Sequence, residues 1–420
     1  MSKNIGFVST RFSGTDGVTL EASKWAQVLK QMGHRCFWFA GMLDKDPSRS
    51  MVVPEAYFQH DQNLWINEHI LGKQIRSSEV TEMIQQLKAF LKDRIRAFIA
   101  KFSIDLLISQ NALTIPMHVP LGIAITEIIA ETKIPTIAHH HDFYWERIRF
   151  SINAVGDYLR MAFPPNLPSM EHVVINSAAQ EELALRTGIS SINIPNILDF
   201  DNPPQVDEKR TSELREIIGV GPDDIVILQP TRIVQRKGIE HAITLVKNLN
   251  DPRCKLVVSH EAGDEGFEYA EWLKKEAKAN GVDLRLFSIR MRDPWNDQSA
   301  PKSEYTLLDV YPCADFVTYP SLYEGFGNAF LEATYFKKPT LINRYATFVR
   351  DIEPKGFDLI VMDGFLTEKN IREVKDALFS SERREKMVNH NYTVATRYYS
   401  YSVLKRCLNN LLANFFGMEA

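Results

Sequence analysis

The chain has little cysteine. Cys36, Cys254, Cys313 and Cys407 are its only four in 420 residues, and no two have metal-binding or redox spacing. That excludes a disulfide framework and reads as reduced thiols. No uninterrupted apolar run is long enough to span a bilayer. Met1-Ser2-Lys3-Asn4 leads directly into an apolar strand, with no leader-like segment before it. The expectation is a cytoplasmic protein without a transmembrane segment. A dominant charge is also missing: 49 Lys and Arg face 53 Asp and Glu, a formal net charge of −4. No global field therefore recruits nucleic acid or an anionic membrane. What is present is an ordinary globular mixture, 45% hydrophobic and 24% charged, which buries a real core and at this length suggests two or three domains.

The N-terminal half reads as alternating strands and helices. Ile5–Ser9 is a short apolar strand, followed by the glycine loop Ser13-Gly14-Thr15-Asp16-Gly17-Val18, a helix over about 19–32 ending at Gly33, and the strand Cys36–Ala40. This is the opening of a doubly wound parallel sheet. Ligands on such sheets bind at the carboxyl ends of strands, so the loop is either a structural turn or one wall of a site. It is not G-x-G-x-x-G, hence not a dinucleotide fingerprint. Residues 42–78 are polar and irregular, with no assignable role. A long amphipathic helix over about 79–102, the strand Asp105–Ser109, a helix over about 120–132 and the strand Pro135–Ala138 continue the pattern. That last strand runs into His139-His140-His141-Asp142. In an extended chain only His139 and His141 face the same way, so at most those two could share an ion. Metal binding, polar closure of a strand and substrate contact are the three readings of this run. A strand from His172, a helix to Thr187 and a linker over about 199–213 follow. The second sheet has strands near 225–229, 255–259, 283–287, 315–319, 339–343 and 358–361. A helix is expected over 303–312, and two more over about 382–416.

Two stretches of the second half carry chemistry. Arg232 and Lys237-Gly238 lie in a loop between a strand and a helix, where a planar guanidinium fork and a point charge suit phosphate. Further on, the strand Asp315–Tyr319 runs through Pro320 into Ser321-Leu322-Tyr323-Glu324-Gly325-Phe326-Gly327-Asn328, which opens a helix containing Glu332. A helix start has unpaired N–H groups and a positive dipole end, so it is a ready anion site. Gly325 and Gly327 permit close backbone approach. The bland alternative is that Glu324 caps the helix and Glu332 is solvated.

The pattern Ser-Leu-Tyr-Glu-Gly-Phe-Gly-x-x-x-x-Glu, with Arg232 and Lys237 before it, resembles the donor-site signature of retaining glycosyltransferases of family four, which have the GT-B fold. The strand His172–Ser177 and the Ile194-Pro195-Asn196 turn match that family as well. The resemblance implies two doubly wound Rossmann-like α/β domains facing a central cleft: 1–200 on the acceptor side, joined by a crossover helix at about 400–420, and 201–399 for the nucleotide sugar. It implies a donor site of Gly17, Arg232, Lys237, Glu324, Gly325, Phe326, Gly327, Asn328 and Glu332, with Glu332 on the ribose and Glu324 on the donor sugar. It implies an acceptor side of Gly14, Asp16, His140 and Asp142, and His141, with His140 as runner-up, against the donor sugar. Glu324, His141, Arg232 and Lys237 would serve the reaction. Asp199-Phe200-Asp201 has the spacing of a metal-binding Asp-x-Asp from another glycosyltransferase fold, but it falls in the linker and is discounted. The expected activity is metal-independent, cofactor-free hexosyl transfer from a UDP- or GDP-linked sugar to a sugar, polyol, small acid or lipid-linked acceptor. A disaccharide phosphorylase, an epimerase and a non-catalytic sugar-nucleotide binder remain open. The donor base, the acceptor, the linkage, the oligomeric state and the role of 290–304 are not specified by the sequence.

Overall fold

The computed structural model describes residues 2–259, 267–287 and 305–417. The segment 290–304, whose role the sequence leaves open, lies outside them. The described residues fall into two compact units: the chain up to Pro195 with the segment from Leu404 onward, and the chain from Asn196 to Val403.

The first unit contains β1 (Asn4–Val8), β2 (Arg11–Phe12), β3 (Arg35–Ala40), β4 (Met42–Leu43), β5 (Ser50–Val52), β6 (Leu106–Gln110), β7 (Thr136–His140), β8 (Met170–Val174) and β9 (Ile192–Asn193). Seven of these form a parallel sheet in the order β5-β3-β1-β6-β7-β8-β9, and β2 pairs with β4 apart from it. The strand order reverses between β1 and β6. The sheet's main cover is the helix Ser78–Phe102, whose buried Val80, Ile84, Leu87, Leu91, Ile95 and Phe98 recur every three or four residues. That 3.6-residue stripe packs on the helix Val119–Thr132 and on the sheet in one apolar cluster. The Ser77 hydroxyl caps its start by accepting from Val80 N, and Ser103, at φ 48°, ends it. Each such Leu or Ile contributes about 1.5–3 kcal/mol of burial, so Leu91→Ala would cost roughly 2–5 kcal/mol.

The second unit contains β10 (Ile225–Gln229), β11 (Cys254–Val258), β12 (Asp283–Leu286), β13 (Phe316–Tyr319), β14 (Thr340–Asn343) and β15 (Ile360–Met362). They form a six-stranded sheet in the order β12-β11-β10-β13-β14-β15, and every pair is parallel. The near-continuous Val, Ile and Leu runs of these strands fit a sheet covered on both faces. Here the order reverses between β10 and β13.

Three local readings are corrected. Residues 42–78 are not irregular throughout, since Asp61–Ile70 is a helix. Its start carries no side-chain cap, and its buried face includes Asn63, which donates to the Phe58 and Met117 carbonyls at 2.8 Å. A polar residue on the inner face hid the periodicity. Residues 208–213, expected as linker, begin the helix Glu208–Ile218, capped by Asp207 and ended by Gly219 at φ 80°. The helix expected over 303–312 is a 3-10 segment, Leu307–Cys313, with Pro312 inside it. Asp199 and Asp201 have structural partners: Asp199 accepts from Asn202, and Asp201 accepts from Ser402 N and Oγ at the start of the helix Tyr401–Phe416. Phe200 between them packs edge-on against Tyr335 and Tyr392.

Candidate active site

Each unit presents a cluster at the carboxyl ends of the strands that flank its reversal point, where ligands of doubly wound sheets bind. In the second unit, β10 delivers the loop 230–238 and β13 delivers the loop 320–327. Leu322 N donates to Arg236 O at 2.9 Å, which ties the loops together. Gly238 is needed for this approach: it sits at φ +62°, and a Cβ there would meet the Pro320 carbonyl oxygen at 2.7 Å.

Lys237 and Glu324 meet across the two loops, the ammonium donating to Oε1, with side chains 10% and 11% exposed. Arg236 adds a second cation 3.6 Å from Oε2 and donates to Tyr323 O at 3.1 Å. Burial pushes the Glu324 carboxyl up, but the opposing charges of Lys237 and Arg236 outweigh it and hold the group below the usual carboxylate range. Burial pulls the Lys237 ammonium down. Glu324 thus neither caps the helix nor faces open solvent; it is one half of a buried ion pair. Arg232 lies on the same loop, exposed; its carbonyl accepts from Val234 N at 3.0 Å, and its side chain makes no hydrogen bond or ion pair to another described residue.

Gly327 is the N-cap of the helix Asn328–Tyr335, and neither it nor Gly238, the N-cap of the helix Ile239–Leu249, supplies a side-chain cap. At the second of these starts Gly238 N donates to Gln235 O at 3.0 Å and Ile239 N to Tyr269 Oη at 3.1 Å, so it is the start at Gly327–Asn328 that presents backbone N–H groups at the same end of the sheet as Arg232 and Lys237. Gly327 lies at φ +128°, and a Cβ there would come within 2.3 Å of Tyr345 Oη, which donates to Phe326 O at 2.8 Å. Thr347 Oγ1 donates to Glu324 O at 3.0 Å, and Asn343 Nδ2 to Ser321 O at 3.1 Å, so the loop is held from behind. Glu332 is not brought to Glu324. It is buried, with Tyr311 Oη donating to its Oε2. Asn328 Oδ1 accepts from Asn196 Nδ2 at 2.7 Å. The Phe326 ring is buried edge-on against Tyr399, so what that residue offers the loop is its main chain.

In the first unit the histidine run alternates as strand geometry requires. His139 is fully enclosed, stacked on Trp25 with ring centroids 4.3 Å apart, and its other neighbour is His141 at 4.4 Å. His140 points the other way into the core, between Thr114 Oγ1 at 2.6 Å and His172 Nδ1 at 3.0 Å. It therefore does not share a surface with Asp142 or His141, and its expected acceptor-side position is corrected. His141, at the strand's end, has its Nε2 3.1 Å from Gln110 Oε1 and its backbone N–H donating to Asn111 Oδ1 at 3.1 Å. With Oε1 accepting, Nε2 carries the proton and Nδ1 keeps a lone pair. Burial lowers the His141 pKa to about 4, against the opposing pull of Asp142 and Asp16. Asp142 accepts from Asn111 Nδ2 at 2.9 Å and pairs with Arg147. Asp16 is the N-cap of the helix Gly17–Gln31 and pairs with Arg11 at 2.8 Å. Gly17 is that helix's first residue, and Gly14, at φ +83°, donates its N–H to Asp44 at 3.0 Å. Gln110, Asn111, Trp25, Arg236, Tyr311 and Tyr345 were missed as parts of these clusters. Only Gln110-Asn111 had a readable signal, as a polar pair at a strand's carboxyl end.

Two parallel sheets in this doubly wound order, the second with cations and a paired glutamate at two helix starts, make up a GT-B α/β protein. The chain belongs to the glycosyltransferases of group 1. That family, described as glycosyl transferases group 1, matches residues 210–394. The mannosylglucosylglycerate synthase of Thermotoga maritima is 30% identical over 444 aligned positions, covering 96% of this chain and 98% of that one. The mannosylglucosylglycerate synthase of Petrotoga mobilis is 32% identical over 381, covering 85% and 86%. Among solved structures, a glycosyltransferase from Rickettsia africae matches with a TM-score of 0.69 at 13% identity, over 99% of this chain and 98% of that one. Anabaena Alr3699/HepE, solved with UDP and glucose, matches with a TM-score of 0.65 at 13% identity, over 98% and 100%. No helix among the described residues is long and apolar enough to cross a membrane.

Proposed function

We propose that this glycosyltransferase moves a mannosyl group from a nucleoside-diphosphate mannose to a hydroxyl of glucosylglycerate, with retention and without a metal ion. The observation that carries the site is the convergence of Lys237, Arg232 and the helix start at Asn328 on the loop that holds Glu324. The names and near-complete coverage of the Thermotoga and Petrotoga relatives support the sugar and the acidic acceptor.

Transfer breaks the bond between the anomeric carbon and the diphosphate oxygen, so negative charge builds on the phosphates. Arg232, Lys237 and the backbone N–H groups at Gly327–Asn328 stabilise that charge, the role a divalent cation fills elsewhere. Glu324 orients the donor sugar through its hydroxyls while Lys237 keeps it ionised. The acceptor oxygen attacks from the face the diphosphate is leaving. The new carbon–oxygen bond forms there, and the acceptor proton passes to the departing phosphate oxygen, so no side-chain base is needed. Glu332 takes the ribose hydroxyls once the Tyr311 contact yields. His141, neutral above about pH 5 because of its burial, contacts the donor sugar as a neutral imidazole. The test is product analysis in EDTA: mannosyl and glucosyl donors on GDP and UDP are each offered with glucosylglycerate, and products are read by mass and anomeric NMR signals. A new α-mannoside supports the reading; released sugar phosphate would favour a phosphorylase.

A further inference from the structure

The second unit has a second cationic hollow, at the opposite end of its sheet. It has a volume of about 450 Å³ and is lined by Ile225, Arg253, Asp315, Lys338, Phe379 and Arg384 among others, a size typical of small-molecule sites. Ile225, Arg253, Asp315 and Lys338 lie at the amino ends of β10, β11, β13 and β14, whereas the Lys237–Glu324 pair lies at the carboxyl ends. Strands of four and five residues separate the two ends, about 13–17 Å.

Four cations, Arg253, Lys337, Lys338 and Arg384, line this hollow against one carboxylate, Asp315. Arg253 is paired with Asp251 at 2.6 Å, and Lys337 is turned to Asn389 at 3.0 Å. Lys338 and Arg384 have no carboxylate partner among the described residues. Lys338 donates to the Ala314 carbonyl at 2.7 Å, and Arg384 to the Leu378 carbonyl at 2.7 Å. Carbonyls take these hydrogen bonds, and Asp315, which also pairs with Arg215 at 3.9 Å, is the one carboxylate lining the hollow against its four cations. Burial lowers the Lys338 ammonium, opposed by Asp315 and aided by the like charges of Arg215 and Arg384. The lining is apolar at Ile225, Leu378 and Phe379, and Phe379 is 55% exposed.

We propose that this hollow binds a phosphomonoester of sugar-phosphate size, the phosphoryl group between Lys338 and Arg384 and the carbon skeleton against Phe379. A phosphoryl group carries nearly two negative charges and three acceptor oxygens, which matches a hollow lined by four cations and one carboxylate. The site is independent of the donor site and of the reaction proposed there.

The test is titration calorimetry of the full chain with glucose 6-phosphate, inorganic phosphate and, as control, glucose. Wild type should bind glucose 6-phosphate saturably, inorganic phosphate more weakly and glucose not at all. Arg384→Gln should weaken glucose 6-phosphate by about tenfold or more, the loss of one charge-assisted contact. Phe379→Glu, at an exposed position that folding tolerates, should weaken it at least as much by adding a like charge. Arg232→Ala at the donor site should leave it unchanged. Absence of saturable binding overturns the proposal. So does binding that survives both Arg384→Gln and Phe379→Glu, or binding lost in Arg232→Ala, which would place the phosphate at the donor loop.

Discussion

Removing either half of the Lys237–Glu324 pair should destabilise the protein, and removing both should cost less than the sum of the two. The side chains are 10% and 11% exposed, so a variant that keeps one charge leaves it in a site that barely reaches water. Breaking a buried pair costs roughly 3–5 kcal/mol; Arg236 near Glu324 and the residual exposure argue for the lower end, about 3 kcal/mol. For a folding unit of this size that is a melting shift of about 6–12 °C. Lys237→Met and Glu324→Gln should each show it, and the double variant should lose about 2 kcal/mol less than the sum. The pH dependence has a definite sign. In the wild type the Glu324 carboxyl is held below its ordinary value, so its contribution is complete above the carboxylate range and is lost as pH falls through the folded value. In Lys237→Met burial loses its largest opponent and is left against Arg236 and Ser321, the carboxyl rises, and protonation relieves the penalty. The deficit of Lys237→Met relative to wild type should therefore be widest near pH 7 and narrow towards pH 4. Scanning calorimetry of the four proteins from pH 4 to 8 checks this. Strictly additive shifts, or a deficit that widens as pH falls, would refute the reasoning.

Other outcomes follow from the same geometry. Glu324→Ala should abolish transfer while sparing nucleoside-diphosphate affinity, read by product formation against calorimetric binding. Arg232→Ala should weaken nucleoside-diphosphate binding by roughly 10- to 100-fold, the worth of a charge-assisted hydrogen bond, with little change in melting temperature because the side chain is exposed. Gly327→Ala should cost both stability and transfer, since its Cβ would overlap Tyr345 Oη at 2.3 Å and its φ of +128° disfavours any side chain; Tyr345→Phe should restore little, because the backbone strain remains. His118, His141 and His172 are each lowered to about 4, chiefly by burial. The unfolded chain therefore binds more protons than the folded one between about pH 4 and 6.5, and the first unit should lose stability as pH falls through that window, measurable as a melting temperature that drops steeply below about pH 6.

The framework of strands was legible because parallel strands buried on both faces are short apolar runs, and here they are punctuated by glycine and proline. The long helix 78–102 was legible from its stripe, and the loop at Glu324 from its glycines and its place between a strand and a helix. Arg232, Lys237 and Glu324 could be named from residue type and position. That Lys237 and Glu324 pair directly could not, because contact across 87 residues depends on β10 and β13 being neighbours, which is a property of strand order. Glu332 read as a solvated or ligand-facing acid because its partner, Tyr311, lies in a 3-10 segment with a proline inside it. The histidine run gave its alternation but not its surroundings: Trp25, Thr114 and His172 come from three other elements. The helices Asp61–Ile70 and Glu208–Ile218 were missed for different reasons, a buried Asn on the inner face of one and a highly charged sequence for the other, whose caps Asp207 and Gly219 were nonetheless there to be read.

The most direct test of the central claim is transfer itself, in EDTA, with GDP-mannose as donor and glucosylglycerate as acceptor, comparing wild type with Glu324→Ala and Arg232→Ala. The account predicts an α-linked mannoside from the wild type, none from Glu324→Ala and a donor-concentration dependence shifted upward in Arg232→Ala. A β-linked product, a strict requirement for a divalent cation, or full activity in either variant would contradict it.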